Sequence, residues 1–471
     1  MTIQTSPPKL RAIGAAALVL VLSGCASFSQ DGGLDAVSAM TSARTGQDVR
    51  LPKASADISS SRQELERLLQ APLSADGAVR VALLNNRGLR ASLAALGVAE
   101  ADLVQAGRLA NPGLSFGRMS GGGETEIERS VMFDLVGLLT MPIRRDIEAR
   151  RFQGAQLIAA TGAVRLAADT RKAWFHAVAA AQSAHYAEQV REAAQASAEL
   201  AQRMARAGNL SALDQAREQV FSAEATAQLA RARHNATAAR EQLARLMGVW
   251  GAQTTFTLPD RLPDLPAAPR DERQVEALAM QQRLDVQLAK LETEATARAL
   301  GLTRATGVVN VLEAGYVNAS KSGAPRENGY EIELAIPLFD WGGARVAKAE
   351  ALYMGAVHRT AHTAVNARSQ VREAWSAYRT TYDLARHYRD EVVPLQKKIS
   401  EETLLRYNGM LMSVFELLAD ARAQITGVNT AIAAQRDFWI AETDLQAAIN
   451  GSGGSAVALA ATASADAAPG H

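Results

Sequence analysis

The chain has 471 residues, 48% hydrophobic but only 5% aromatic, with 50 basic against 49 acidic side chains and a single cysteine. A balance this close to zero removes bulk charge as an argument for nucleic-acid binding, since neutralising phosphates along a duplex needs a basic excess. One cysteine excludes an internal disulfide framework, and seven histidines without a second thiol leave no zinc-finger spacing.

Lys9 and Arg11 precede an apolar run from Ala12 to Leu22 that is too short to span a bilayer. Residues 1–24 therefore read as a secretory signal peptide. It ends in Leu22-Ser23-Gly24-Cys25, which resembles the bacterial lipobox. That resemblance implies cleavage before Cys25 and a diacylglycerol plus an N-acyl chain on it, with no other cofactor. Ala26 stands where aspartate would signal inner-membrane retention, so the rule points to the outer membrane. Cleavage also leaves 48 basic against 49 acidic residues, a formal charge of −1. Residues 25–74 follow as a lipid-anchored linker.

From about Ala75 to Leu109 the chain is rich in Ala, Leu, Glu and Arg and free of proline, which favours helix; Asn111-Pro112-Gly113 stops it. Leu114–Met119 and Glu126–Val136 read as two strands around the loop Ser120-Gly121-Gly122-Gly123. Ile127, Arg129, Val131, Phe133 and Leu135 alternate with Glu128, Ser130, Met132 and Asp134, a pattern that suits lipid on one face and water on the other, or a half-buried soluble sheet. No proline then occurs from Arg144 to Ala207, and 64 helical residues would run about 96 Å. Gly208 ends this helix and a second returns from Ser211 to Met247. Residues 251–270 form a Pro-rich connector.

The rest of the chain repeats this order. Arg171-Lys172-Ala173-Trp174 matches Arg372-Glu373-Ala374-Trp375, and Gly208 and Leu210 match Gly409 and Leu411, all at an offset of 201. Beyond that glycine the offset becomes 202, for Ser211 with Ser413, Asp214 with Glu416 and Leu243 with Leu445, which places one extra residue in the second turn. Asn86-Arg87 matches Gln282-Arg283 upstream. The repeats are taken as 75–250, with its hairpin near 114–136, and 271–450, with its hairpin near 307–338. In the second hairpin Tyr330, Ile332, Leu334 and Ile336 alternate with Glu331, Glu333 and Ala335. Val371 to Ile399 carries coiled-coil spacing that Pro394 should bend or loosen. Residues 451–471 are a low-complexity tail.

Four strands cannot close a membrane barrel, because the smallest such barrels need about eight and open edges in lipid are costly. Several copies must share one. At this point the chain resembles the TolC-like outer membrane efflux proteins, and their acylated members in particular. The resemblance covers roughly Ala75 to Asn450, and its sharpest motifs are the two helix turns. These are Arg206-Ala207-Gly208-Asn209-Leu210-Ser211-Ala212-Leu213-Asp214, and Arg406 to Leu411 with Ser413 to Leu418. It implies a mainly α protein with a membrane β-barrel, in which the duplicated helix, hairpin and long-helix repeat builds a trimeric, twelve-stranded barrel continued by a periplasmic α-helical barrel. It also implies an outer-membrane exit duct whose partners are a periplasmic adaptor, an inner-membrane transporter of the resistance-nodulation-division type and outer-membrane lipids, with no nucleic acid. In that frame Gly208, Leu210, Ser211, Gly409, Leu411 and Ser413 are adaptor-docking candidates. Asp214, Tyr407, Glu416 and Asp420 are candidates for the periplasmic gate or pore lining. Glycine suits a left-handed helix end and Ser211 or Ser413 a helix cap, with Leu210 and Leu411 projecting. The gate pattern departs at Leu411 or Met412, where a basic partner is expected, and at Ala419, where a second carboxylate is.

His358 with His362 lacks a third ligand, Met410 with Met412 suits packing better than copper(I), and Gly121-Gly122-Gly123-Glu124 lacks the lysine of a phosphate loop. No acid, base or nucleophile cluster supports an enzyme. A lipid-anchored periplasmic coiled-coil adaptor is the alternative, but it would carry one helical hairpin rather than a duplicated order with two membrane-type hairpins.

Overall fold

The structure is a computed structural model, which describes residues 27–51, 55–270, 275–309 and 311–453. The expected signal peptide, Cys25 and residues 454–471 of the expected tail lie outside them. The described chain runs α1 (Leu34–Thr45), α2 (Ser55–Gln70), α3 (Ala75–Asn85), α4 (Arg87–Ala106), β1 (Gly113–Gly121), β2 (Glu124–Asp134), α5 (Leu135–Arg206) and α6 (Ala212–Met247). It continues with α7 (Val275–Gln282), α8 (Leu284–Ala305), β3 (Leu312–Lys321), β4 (Glu327–Leu334), α9 (Gly343–His387), a π-helical segment (Tyr388–Val392), α10 (Val393–Asn408) and α11 (Val414–Asn450). These elements fall into two compact units: residues 27–36 with Ser92–Ala159 and Gln287–Thr363, and Val37–Ala91 with Ala160–Val286 and residues 364–453.

The first unit holds one antiparallel sheet in the order β1-β2-β3-β4, so the two hairpins join through β2 and β3. Gly122 and Gly123, with φ of +64° and +86°, make the first hairpin's two-residue turn, a conformation glycine reaches without strain and one that matches strand twist. Gly315 is required for another reason: a Cβ there would lie 2.2 Å from the carbonyl oxygen of Val131. The strands differ from expectation at their ends. Leu135 and Val136 belong to α5, because Asp134 turns its carboxylate to accept the N–H of Gly137 and starts the helix there. Ile336 and Leu338 lie beyond β4.

The second unit is all helical. The expected helix from Ala75 is broken at Asn86, whose extended backbone ends α3 while its Oδ1 accepts the N–H of Leu89 at the start of α4. Asn85 and Asn86 also donate to the carbonyls of Gly248 and Leu246 at the end of α6. In the second repeat the buried Arg283 takes over that work, donating to the carbonyl of Ala448 and pairing with Asp285. Trp174 is buried and donates to the carbonyl of Leu73 at 2.7 Å; Leu65, Val178, Met247 and Phe256 share its core. The segment read as a linker thus carries α1 and α2 and helps to cover that core.

The extra residue of the second repeat is not in its turn. The N–H of Val393 bonds to the carbonyl of Tyr388, five residues back, and this wider π turn accommodates one residue more than an α turn. Pro394 at the start of α10 has no N–H to give, which accounts for the loosening expected there. The repeat offset is therefore 201 before Tyr388 and 202 from α10 onward.

Candidate functional site

Register shows what single-strand alternation could not: both hairpins present their apolar residues on the same face of the sheet. Leu114, Val131, Tyr316 and Tyr330 lie in one row across the four strands, and Phe133, Ala314 and Ile332 in the next. Leu114 is 80% exposed and Tyr330 86%, so among the described residues nothing covers this apolar face. Towards the hairpin tips it turns polar. Phe116, Arg129, Asn318 and Asn328 form a row in which Arg129 donates to Asn318, and Asn318 and the Tyr316 hydroxyl both donate to Asn328.

The opposite face carries the carboxylates and most of the small residues, with Met119, Met132 and Val317 among them. Asp134, Glu313 and Glu333 stand opposite one another in adjacent strands, and Glu128, Ala319 and Glu327 do the same nearer the tips. Lys321 also lies on this face and pairs with Glu124 at 3.0 Å.

At the other chemistry-bearing location, α5 closes through Gly208, φ +75°, with the N–H of Asn209 reaching back to the carbonyl of Met204. Ser211 caps α6 by accepting the N–H of Asp214, and its hydroxyl donates back to that carboxylate at 2.5 Å. In the second turn Gly409 has an ordinary right-handed φ of −78°, and Met410 holds the left-handed position at +59°. This corrects the expectation for Gly409. The shifted offset makes Met410, not Gly409, the counterpart of Gly208, and its neighbour Leu411 bonds back to the carbonyl of Arg406 as Asn209 does to Met204. Ser413 and Glu416 form a complete capping box on α11. The N–H and hydroxyl of Ser413 both donate to the Glu416 carboxylate, holding it below its ordinary pKa.

Leu411 and Met410 are 81% and 93% exposed, whereas Leu210 is half-buried and Leu213, 62% exposed, projects in its place. Tyr407 and Asp420 are also half-buried, and one Asp420 carboxylate oxygen has no partner. Sequence reading missed one group here. Glu218 on α6 is buried, accepts from Ser197 on α5, and faces Arg422 of α11 at 3.5 Å, while Arg422 lies over the Phe221 ring. These side chains tie the two helical hairpins together. Nothing in the spacing announced a buried carboxylate in so polar a helix.

Near the amino end, Ser29 donates through its N–H and hydroxyl to buried Glu100 on α4. Cys25 stands four positions before it in sequence, at most about 14 Å of extended chain. Among the described residues no three His, Cys, Asp or Glu side chains are grouped as metal ligands, and no helix is long and apolar enough to cross a membrane.

No family model matches the chain and no curated protein matches it either. Solved structures do. A membrane protein from Pseudomonas aeruginosa aligns with a TM-score of 0.69 at 20% identity, over 82% of this chain and 93% of that one. The CmeC outer membrane channel of Campylobacter jejuni aligns at 0.70 and 14% identity, over 86% and 90%. The MtrE outer membrane channel of Neisseria gonorrhoeae aligns at 0.61 and 16%, over 79% and 88%. The chain has the fold of these proteins.

Proposed function

We propose that this chain is an outer-membrane exit duct of a tripartite efflux system. Three copies close a twelve-stranded barrel continued by a helical barrel, and acylated Cys25 anchors each copy. The observation that carries the reading is the shared register of the two hairpins. One continuous face is apolar with a polar and aromatic edge, as lipid contact requires, and the other gathers the carboxylates among small residues and a few apolar ones, as suits a water-filled lumen. With β1 and β4 each paired on one side only, the sheet is an arc, and lipid tolerates no such edge. Further copies supply the closure. The resemblance of the fold to two outer-membrane channels supports the same reading, and the reach from Ser29 to Cys25 suits an anchor close to α4.

The duct supplies no energy. Substrates reach it from a periplasmic adaptor and an inner-membrane transporter of the resistance-nodulation-division type, and the exposed turn residues Leu213, Met410 and Leu411 offer the adaptor an apolar tip. Gly208, Ser211, Gly409 and Ser413 shape that tip. Asp214, Tyr407, Glu416 and Asp420 sit just inside it, where they would line or gate the entrance.

Planar-bilayer recording tests the reading. Purified trimers should give discrete conductance steps, and trimers that insert yet never conduct would overturn it. Leu411→Asp with Leu213→Asp should abolish adaptor crosslinking and leave trimers intact; unchanged crosslinking removes the docking claim alone.

A further inference from the structure

The first repeat carries side chains that the shared fold does not require. On α5, Trp174 and Val178 are buried with Leu65 of α2 and with Phe256, while Lys172, His176 and Ser183 lie round the other side of the helix. At the offset of 201, Trp174 stays a tryptophan, Trp375, but Lys172 and His176 become Glu373 and Ala377. At the offset of 202, Gln242 and Arg245 of α6 become Asp444 and Ala447 of α11. The second repeat builds the same helices without this lysine, histidine and arginine, so their role lies outside the common architecture.

These side chains meet in a groove between α5, α6 and α11. Two open cavities of about 650 and 510 Å³ lie along it and share His176, Gln242 and Arg245. Their electrostatics differ. The larger holds a closed network, in which Lys172 pairs with Asp169 at 3.3 Å and with Asp444 at 3.0 Å. The smaller is lined by His176, Arg245 and Arg436 and by no carboxylate. Arg436 is held at 2.7 Å by Asp437, which does not line the cavity, whereas Arg245 has no acidic partner among the described residues. Asn235, Gln242 and Asn429 add amide donors, and the walls between them are small and apolar, with Ala179, Ile432 and Ala433 among them. An apolar cavity of a few hundred cubic ångströms with convergent polar groups is the ordinary form of a small-molecule site.

We propose that the smaller cavity binds a compact organic anion, an apolar body carrying one carboxylate or sulfonate, with Arg245 and His176 on the charged group and the alanines against the body. Charge complementarity selects this ligand: the guanidinium fork of Arg245 matches an oxyanion, and no wall of the cavity offers a carboxylate to a cation. His176 makes the site responsive to pH. Partial burial holds its imidazole below the ordinary value, with Arg436 and Lys172 adding to the effect and Asp437 opposing it. The charged groups around it are Asp169 and Lys172 on α5, Arg245 on α6, and Arg436, Asp437 and Asp444 on α11. As the pH falls through the lowered value the imidazole gains a proton and the cavity a positive charge, so a bound anion is held more tightly in acid. The groove belongs to a single chain, and the site stands independently of the duct reading.

Equilibrium dialysis of naphthalene-2-sulfonate against the purified full-length protein tests the site, with detergent alone as the blank, across the range of about pH 8 to 5 in which imidazoles titrate. Saturable binding at one site per chain is expected, tightening several-fold toward acid. The 2-naphthyltrimethylammonium ion, the same body with the opposite charge, should not compete. Arg245→Gln should weaken binding about tenfold, the loss of one charge-assisted contact, and Arg245→Lys should restore part of it. His176→Gln should keep the alkaline affinity and flatten the pH profile. Both side chains are exposed, so the fold should tolerate these changes. Where a variant fails to fold, the competition on the wild type decides by itself. No binding, equal binding of the two naphthyl ions, or affinity unmoved in both glutamine variants would overturn the site. Protein that conducts in bilayers yet binds neither ion would leave the duct standing without it, and protein that binds the sulfonate yet never conducts would do the reverse.

Discussion

Single residues carry the two turns, and they do so differently. Met410 holds the left-handed conformation that costs a non-glycine residue about 1–2 kcal/mol, in the position that Gly208 fills in the first repeat. A strained methionine that is 93% exposed points to contact rather than stability as its role. Met410→Gly should relieve the strain, less the entropy glycine loses on ordering, for a net gain of about 0.5–1 kcal/mol. Hydrogen exchange at the amides of Met410 and Leu411 should slow roughly two- to fivefold, and unchanged exchange would show that the tip bears no strain. Glu416 gives a pH dependence of definite sign. Its carboxylate lies below the ordinary value because the Ser413 N–H and hydroxyl donate to it, so its contribution to the cap is full above pH 4.5 and is lost as the pH falls through the lowered value. Protection of the first-turn amides of α11 should drop in that acid window in the wild type. In Glu416→Gln, which cannot ionise, the profile should be flat.

At the scale of elements, the sheet's two faces predict opposite responses to one substitution. Ile332 lies on the apolar face and its neighbour Glu331 on the acidic one. A lysine on a lipid-facing strand costs about 2–4 kcal/mol near the bilayer midplane and much less at a lumen position. Ile332→Lys should therefore lower the yield of membrane-inserted, heat-modifiable trimers, while Glu331→Lys should assemble as the wild type does. Equal yields from the two would mean that the faces are not lipid and water. The π turn belongs to this scale as well. By absorbing the extra residue at Tyr388–Val392, it keeps the second turn's bonding pattern the same as the first, with only the glycine displaced by one position.

Across the whole molecule, what sequence made legible was whatever repeats. The order of elements, the strand alternation and the serine caps at Ser211 and Ser413 each carry a local signal, and the structure has them. What escaped depends on neighbours remote in sequence or on a change of helix pitch: the break at Asn86, Arg283 in place of the first repeat's asparagines, the buried Glu218, and the π turn that moves the left-handed residue from Gly409 to Met410. Charge belongs with these. A chain of 50 basic and 49 acidic residues reads as neutral, yet register gathers Asp134, Glu313 and Glu333 into a single row on the sheet's acidic face. Three copies would bring nine carboxylates to one level of a lumen, in a field that attracts cations and repels anions. The duct should then be cation-selective although the chain is neutral. Under a potassium chloride gradient its reversal potential should lie toward that of potassium, more strongly at low salt, where screening is weakest. Glu313→Gln with Glu333→Gln should move it toward zero without changing trimer yield, because both side chains lie on the face opposite the apolar one. A reversal potential near zero in the wild type, or one unmoved by the double variant, would place this row away from the conducting path.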